Sequence, residues 1–454
     1  MLLLIASESM ARNLTILSRG SLENHELLDV YLHENLAFIP GGLGGLNIVD
    51  VSNPSNPTVL SNYHAAGCDW GRIYTWSVGN NYAFGTGREC GVRILDVSNP
   101  SNPIFVRNYT DPEIDEIRYE HGEVFSNTLF LSRHHAGIEV VDISNPTAPL
   151  KIATIPTNNA WASLATPNLL FIADGASGVM VISIDNISEP QMIASIQTSG
   201  MAKDVDLSGD FLFVAVGAAG VDMIDVSNPE SPVLIDNYNT TGYASRVSAN
   251  DSLVAVSDWD DMEVLDFSSG DLVLAGFKNT GGRVMALAMR DDIIFSAEWR
   301  DFVVFEFGSI VDADADVSTL SVQFPRVLPG SSESINLSLE NNGLSTLNIL
   351  PQDPSNSDFE FELEDDSIEP GDFTELIVTY TPEEGGSWIG DIYLDTNDPD
   401  EPSLNINLAG NHPFGPMIGD YAPEFELESV NGFGTISNET LIGQPTVLAF
   451  FTAW

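Results

Sequence analysis

Two cysteines carry the most distinctive side-chain chemistry in this sequence. Cys68 and Cys90 are the only two cysteines in the chain, so it is not a disulfide-rich scaffold. The pair can form one disulfide bond, remain as two buried thiols, or bind a metal ion together with His64, Asp69 or Glu89. Which of these applies depends on how the fold positions the two segments.

Histidine and aspartate residues form two further groups. His134 and His135 are adjacent, and Asp258, Asp260 and Asp261 make one acidic segment. Carboxylates suit Ca²⁺, which is therefore the one candidate cofactor, although adjacent histidines rarely share a metal and acidic loops are usually solvated. No GxSxG, HExxH or phosphate-binding loop occurs, so the sequence predicts no catalytic residue for a hydrolase or lyase.

The charge balance narrows the range of partners. The chain has 16 Lys and Arg residues against 66 Asp and Glu residues, a formal net charge of −50. Such a surface repels nucleic acid and anionic lipid, and fits solubility in a salty medium, several calcium sites or drift. No apolar run reaches the roughly 18 residues of a membrane helix, so we expect no membrane span.

A repeated strand-and-turn motif must position these residues. The segment GLNIVDVSNPSNP (45–57) returns almost unchanged as GVRILDVSNPSNP (91–103) and, with growing divergence, five more times. The acidic position of the motif recurs at spacings of 46, 46, 41, 42, 41 and 40 residues, counted from Asp50 to Glu306. Strands and turns repeated at this interval predict a seven-bladed β-propeller over residues 13–310.

The N-terminal segment is predicted to close the ring. NLTILS (13–18) resembles the fourth strands NPTVLS (56–61) and NPIFVR (102–107), and the seventh repeat has no fourth strand of its own. Closing the ring with this strand leaves no open sheet edge. Residues 1–12 are interpreted as the remnant of a signal peptide, with a misplaced start as the alternative.

Loops on one face of the propeller collect the candidate site residues. The loop that enters a blade and the loop between its second and third strands lie on the same face, which brings Cys68 and Cys90 of blade two together and favours a disulfide. The candidate ligand face also includes Asp69, Glu89, His134, His135, Asp258, Asp260 and Asp261. The repeated Asp of the motif is predicted to be structural, accepting hydrogen bonds from the amides of the following turn.

The repeats resemble a known family. Segments of the form GLxIVDVSNPxxP look like the LVIVD-type repeats of β-propellers predicted to be extracytoplasmic. The resemblance implies a propeller in a secreted or envelope protein, and it identifies no ligand.

A second domain follows an acidic stretch. Asp312, Asp314 and Asp316 have the spacing of a calcium loop, but Val317 and Gln323 stand where the loop needs Gly and Glu, so residues 311–319 are predicted to be a linker. Short alternating strands over 320–412 predict a β-sandwich. This segment resembles the immunoglobulin-like domains of the abnormal-spindle and hydin type, which implies a spacer or docking role.

The last segment, 413–454, resembles the start of another family. Gly419, Ala422, Pro423, Phe425 and Leu427, then Gly443, Pro445, Val447, Leu448, Phe450 and Trp454, match the opening of redoxin domains of the thioredoxin fold, with Gln444 and Phe451 departing from the pattern. The chain ends at Trp454, before the position of the family's catalytic Cys, so the given residues contain an incomplete α/β domain without a catalytic residue.

The sequence as a whole predicts a mainly β, extracytoplasmic protein. The resemblance at 413–454 implies that a full-length parent is a thiol–disulfide oxidoreductase of the TlpA/ResA type with a thiol or disulfide partner, while the propeller binds a protein or surface ligand. The alternatives are a non-catalytic surface-binding or adhesion protein and a peroxiredoxin-type parent.

Overall fold

Strands and turns make up the described part of the chain, which is seen in a computed structural model. The structure describes residues 12–22, 26–41, 45–64, 72–87, 91–111, 119–259, 261–280, 282–309, 312–325, 327–383, 388–399 and 401–411, together with two short strands at 426–428 and 435–437. No helix occurs within these residues. Two bodies follow one another along the chain: seven four-stranded sheets, then a sandwich of two sheets.

Six of the seven blades use four consecutive antiparallel strands, and the seventh takes its outermost strand from the N-terminus. Strands are numbered in chain order. Blade seven contains β26 (Val284–Arg290), β27 (Ile293–Glu298), β28 (Asp301–Ser309) and β1 (Arg12–Ser21); blade one contains β2 (Tyr31–His33), β3 (Leu36–Gly41), β4 (Gly45–Asp50) and β5 (Thr58–Tyr63); blade two contains β6 (Ile73–Gly79), β7 (Tyr82–Gly87), β8 (Gly91–Asp96) and β9 (Ile104–Tyr109). Blade three contains β10 (His121–Phe125), β11 (Thr128–Ser132), β12 (Ile138–Asp142) and β13 (Leu150–Ile155); blade four contains β14 (Ala162–Ala165), β15 (Leu169–Ala173), β16 (Val179–Ser183) and β17 (Gln191–Ile196). Blade five contains β18 (Asp204–Ser208), β19 (Phe211–Ala215), β20 (Val221–Asp225) and β21 (Val233–Tyr238); blade six contains β22 (Arg246–Asn250), β23 (Leu253–Ser257), β24 (Met262–Asp266) and β25 (Val273–Lys278).

The N-terminal strand closes the ring. β1 pairs antiparallel with β28 from Arg12↔Ser309 to Ser21↔Asp301, with a register shift between Ile16 and Ser18. Leu14 and Ile16 pack in a core shared by blades six and seven. The N-terminal strand β1 is therefore the outermost strand of blade seven, and β28 has a hydrogen-bonded strand on both sides.

Apolar side chains fill the spaces between neighbouring blades. One cluster joins Phe171, Val179 and Val181 of blade four to Leu212 and Val214 of blade five. The third strand of a blade is buried on both faces, as the exposures along β20 show. Continuous burial explains why the motif lacks the alternation of apolar and polar residues found in half-exposed strands.

Polar side chains of the inner strands also join the blades. Asp204 and Asp206 on β18 accept hydrogen bonds from the amides of Val247 and Ala249 on β22, at 3.2 and 2.8 Å. Burial raises the pKa of Asp206 to about 6. These carboxylates hold the inner strands of blades five and six side by side because a buried backbone amide needs an acceptor.

The second body is a β-sandwich with its own core. Its first sheet has the order β29 (Ala315–Val317), β31 (Glu333–Asn341), β35 (Phe373–Tyr380) and β33 (Phe359–Leu363); its second has the order β30 (Ser321–Gln323), β37 (Ser403–Ala409), β36 (Ile389–Thr396), β32 (Leu347–Pro351) and β34 (Ser367–Ile368). Strands β35, β36 and β37 alternate buried and exposed residues, and the buried ones meet between the sheets.

The predicted acidic linker, 311–319, is partly built into this sandwich. Ala315–Val317 form the edge strand β29 instead of a solvated connection. Asp314 and Asp316 are buried because Lys278, the last residue of β25, supplies the cation: its Nζ lies 3.2 Å from Asp314 Oδ1 and 3.0 Å from Glu401 Oε2. Asp316 Oδ1 is farther from the ammonium, at 3.9 Å.

The segment predicted to begin a redoxin domain lies mostly outside the described residues. Within it, β38 (Glu426–Glu428) and β39 (Thr435–Ser437) form an antiparallel hairpin. The predicted positions from Gly443 to Trp454 are outside the described part of the chain.

Candidate functional site

The repeated aspartate of the motif is structural, which confirms the sequence prediction. Its Oδ1 accepts a hydrogen bond from the amide of the residue two positions later, at 2.7–2.9 Å in the five blades that keep Asp: Asp50, Asp96, Asp142, Asp225 and Asp266. The bonds to Ser52 lower the pKa of Asp50, and those to Ser144 lower that of Asp142. Each carboxylate is occupied in its own turn, so the set does not form a ring of metal ligands.

One face of the propeller, called the top face below, carries the loops that link successive blades. The loop after the second strand of one blade pairs through a single bridge with the loop that enters the next blade, at His134↔Ala160, Gly175↔Ala202, Gly217↔Ala244 and Trp259↔Val284. The two kinds of loop therefore meet on this face, which is where His134, His135, Asp258 and Asp261 lie.

The two histidines of blade three have different surroundings. His134 Nε2 lies 2.8 Å from Glu120 Oε1 and Nδ1 lies 3.1 Å from Asn159 Oδ1, while its ring packs edge-on against Trp161. His135 is exposed, and its Nδ1 contacts the carbonyl oxygen of Asn158. The structure does not bring the pair together as ligands of one ion.

In blade six, three carboxylates converge on one hydroxyl group. Asp258 Oδ2, Asp261 Oδ2 and Glu263 Oε1 lie 3.1, 3.0 and 3.1 Å from Thr241 Oγ1. Oxygen atoms of the three acidic residues, called the acidic trio below, all lie within 4.8 Å of one another. A hydroxyl group has one proton to donate, so two of its three carboxylate contacts lack a hydrogen.

Two members of the acidic trio, Asp258 and Glu263, also accept hydrogen bonds from neighbouring protein groups. Asp258 also accepts from Thr240 Oγ1 at 2.9 Å and from the Gly242 amide, and Glu263 accepts from the Thr241 amide at 3.0 Å. Burial raises the pKa of Asp258 to about 6 and also raises the pKa of Glu263. Among the described residues neither carboxylate has an ion pair with a cationic side chain, so protons or a bound cation must offset the charge.

Comparison with the other blades shows how this cluster arises. The second residue of the third strand is a buried polar residue in several blades and contacts the loop that enters its own blade. Asp222 accepts a hydrogen bond from the Ser199 amide at 2.7 Å, and Glu263 accepts one from the Thr241 amide at 3.0 Å. Asp174 at the position of Asp258 accepts from the Asn158 amide at 3.0 Å. Blade six has a buried carboxylate at both of these positions and adds Asp261, where blades one to five have glycine.

Blade three shows the contrasting case. Its buried Glu139 has Arg133 as a counterion, with Nη1 to Oε2 at 3.1 Å, and it also accepts a hydrogen bond from the Tyr119 hydroxyl. The trio in blade six has the arrangement suited to a hard cation, since carboxylate and hydroxyl oxygens are ligands that Ca²⁺ prefers.

Aromatic groups border the trio. Trp259, between Asp258 and Asp261 in the chain, is 45% exposed and has a positive φ of 73°. Its ring meets Tyr243 edge-on at 5.9 Å, and the Arg283 guanidinium lies 5.8 Å from its centroid. A positive φ is costly for a bulky residue, so the surrounding loops hold Trp259 toward solvent against its own backbone preference.

Several predicted site residues lie outside the described part of the chain: Cys68, Asp69, Glu89, Cys90 and Asp260. Of the predicted residues that are described, the structure brings Asp258 and Asp261 together and keeps the histidines apart from them. Thr241 and Glu263 were not predicted from the sequence to be site residues. Glu263 could have been found from the sequence, because it occupies the one position of the third strand that varies between blades and is often charged, whereas the rest of the strand is apolar.

The fold defines the class: a seven-bladed β-propeller followed by an immunoglobulin-like sandwich. Two family models match the chain, one in the propeller and one in the sandwich. Residues 28–65, 76–111, 130–157, 166–198 and 199–240 match the LVIVD repeat, and residues 315–411 match the HYDIN/CFA65/VesB-like, Ig-like domain. The matched repeats lie in blades one to five.

Solved structures show the same propeller fold. The chain is similar to a chain in the crystal structure of the mitotic checkpoint complex, with a TM-score of 0.52, 11% identity and coverage of 64% of this chain and 91% of that one. It is also similar to the Cps50 (Swd1) β-propeller domain of Myceliophteria thermophila, with a TM-score of 0.51, 12% identity and coverage of 65% and 99%. No curated protein matches the chain. Within the described residues, no helix is long and apolar enough to cross a membrane.

Proposed function

We propose that this protein is a non-catalytic binding scaffold and that the acidic trio of blade six is its cation-binding site. The observation that carries the proposal is the convergence of three buried carboxylates on the single hydroxyl of Thr241. A hard divalent ion such as Ca²⁺ offsets two of the three negative charges of the trio, and Thr241 is exposed, which gives the ion a route from solvent. The propeller and the Ig-like domain are the binding and presenting parts of the scaffold.

Terbium luminescence tests the site. Tb³⁺ binds oxygen ligands as Ca²⁺ does and is excited through nearby aromatic rings, here Tyr243 and Trp259. We expect a saturable signal that Ca²⁺ displaces and that Glu263→Gln removes. The matched control is Asp222→Asn, which alters the buried acidic position of blade five and should leave the signal unchanged. Absence of a saturable signal, or equal loss in both variants, contradicts the proposal.

A second candidate function rests on the segment 413–454. Its pattern of Gly, Pro and apolar residues resembles the start of a redoxin domain, which supports a thiol–disulfide oxidoreductase or, as a variant, a peroxiredoxin as the full-length parent. Reading the coding sequence past Trp454 tests this idea directly. A Cys-x-x-Cys pair immediately after Trp454 supports the oxidoreductase, and a continuation without cysteine overturns it.

We also propose that the protein acts outside the cytoplasm. The resemblance of its repeats to those of predicted extracytoplasmic propellers supports this location. Cell fractionation with an antibody against the propeller tests it, and recovery of the natural protein only in the cytosolic fraction contradicts it. In that setting the propeller face binds a protein or surface ligand.

A further inference from the structure

A cleft of about 520 Å³ lies between blade six and the sandwich. One wall is Leu274–Phe277 of β25, and the other is Asp316–Ser318, at and just after β29. Both β25 and β29 are edge strands of their sheets, so each is paired in its own sheet on one side only. Two edge strands that border one cleft are a setting in which an extended segment can add as a further strand.

Acidic and apolar groups line the cleft. Asp261, Asp316 and Glu340 supply carboxylates, while Leu274 and Phe277 supply apolar surface, and none of the lining residues is Lys or Arg. Leu274 is 44% exposed. Lys278 lies beyond the wall and is closer to Asp314 and Glu401 than to Asp316, so its charge is largely used within the junction.

Charge decides which occupant suits this cleft. A second copy of the chain brings a net charge of −50, and residues 412–454 contain five Asp or Glu residues and no Lys or Arg. Both would place like charges opposite Asp261 and Glu340, which is unfavourable. A basic segment from another protein has the complementary charge.

We propose that this cleft binds an extended, basic segment of a partner protein, which adds to the free edge of β25. Successive side chains of a strand point to opposite sides, so the segment is one in which basic and apolar residues alternate. Its basic side chains meet the carboxylate of Glu340 and, when the trio holds no ion, that of Asp261, and its apolar side chains cover Leu274 and Phe277. The proposal rests on the scaffold role proposed above but does not require a metal ion in the trio.

Fluorescence anisotropy with a labelled Lys-Val repeat peptide tests the proposal. We expect saturable binding, and no binding of the matching Glu-Val peptide. Glu340→Lys should weaken binding roughly tenfold, because it reverses a charge in the cleft. Glu230→Lys is the matched control: it makes the same change at an exposed position on blade five and should leave affinity nearly unchanged. Equal weakening by both variants shows only general attraction to an acidic surface and overturns the proposal.

Strand addition has its own readout. A Lys-Val peptide with alternate amides methylated keeps its charge but cannot form the backbone ladder, and we expect it to lose binding. Unchanged affinity of the methylated peptide overturns addition to β25. Because Glu340 lies outside the acidic trio, terbium binding should persist in Glu340→Lys, so failure of the peptide test and failure of the proposed cation site are separately visible.

Discussion

The candidate site lies where a single residue of blade six departs from the repeated sequence. Glycines with positive φ stand at or immediately before the start of four third strands: Gly91, Gly137, Gly178 and Gly220. A Cβ built on Gly220 would lie 2.0 Å from the Tyr238 carbonyl oxygen. In blade six this position is Asp261, whose carboxylate Oδ2 lies 3.0 Å from Thr241 Oγ1. The departure from the repeat is thus the sequence signal for the candidate site.

The acidic trio predicts an unusual dependence of stability on pH. The folded pKa of Asp258, about 6, is above its ordinary value, so its contribution to stability is complete below about pH 4 and is lost as pH rises through about 6. We expect Asp258→Asn to remove that loss and, with a chelator present, to stabilise the protein near pH 8 by on the order of 2 kcal/mol relative to the wild type. Thermal unfolding at about pH 5 and about pH 8 measures it.

The control for this prediction is Asp225→Asn. Hydrogen bonds from Ser227 lower the pKa of Asp225, so that carboxylate is charged over the whole interval in the folded and unfolded states. Replacing Asp225 should leave the change in stability between the two pH values the same as in the wild type. A wild-type slope that survives in Asp258→Asn would show that other groups dominate this pH range.

At the scale of strands and turns, much of the architecture could be predicted from the repeated motif. The period, the turn after each Asp and the match of NLTILS to fourth strands all correspond to observed structure, since each is a local pattern that recurs. The contact between Thr241, in the loop that connects blade five to blade six, and Glu263, in the third strand of blade six, could not be predicted. It depends on how neighbouring sheets pack, and no local pattern encodes that distance.

The glycine that begins a third strand has a testable role in this architecture. Gly220→Ala adds a methyl group 2.0 Å from a backbone oxygen at φ +82°, so strand β20 or β21 must move. We expect a loss of at least about 2 kcal/mol in the free energy of unfolding. Gly209→Ala is the control, because it has a positive φ of 58° with no atom within 4 Å of the added carbon. Denaturant titration should show a much smaller loss there, of about 1 kcal/mol.

Closure of the ring by β1 gives a second prediction at this scale. A chain lacking residues 1–22 exposes the edge of β28 and the apolar positions that Leu14 and Ile16 cover. We expect its thermal midpoint to fall and a synthetic RNLTILSRGS peptide to restore part of the loss. A peptide of the same composition in scrambled order is the control, and equal rescue by both peptides contradicts the assignment.

At the scale of the whole molecule, the propeller and the sandwich share a buried charged contact. Asp314 and Asp316 have the spacing of calcium ligands and were predicted to lie in a linker, whereas the observed cation is Lys278, 36 residues before Asp314. Local spacing cannot reveal such a partner, because the ammonium comes from the propeller and the carboxylates from the next domain. The contact connects the cleft walls β25 and β29, so its strength controls the geometry of that cleft.

Lys278 therefore provides the prediction for the assembled protein. With Lys278 and Asp314 fully buried, Lys278→Met leaves uncompensated carboxylates at alkaline pH, where these groups are ionised, and should there destabilise the domain contact by about 3–5 kcal/mol. Burial raises the pKa of Asp314, and it raises the pKa of Glu401 to about 7. Folded pKa values above the ordinary ones mean that these two carboxyl groups stabilise the fold most at low pH, and that their contribution is lost as pH rises through about 7. Adding Asp314→Asn and Glu401→Gln to Lys278→Met removes the unpaired charges and should recover most of the loss. Calorimetry measures both effects: the propeller and the sandwich should unfold in separate transitions in Lys278→Met and in a coupled transition again in the triple variant. Coupled transitions in Lys278→Met alone would show that the apolar and backbone contacts between the two domains suffice.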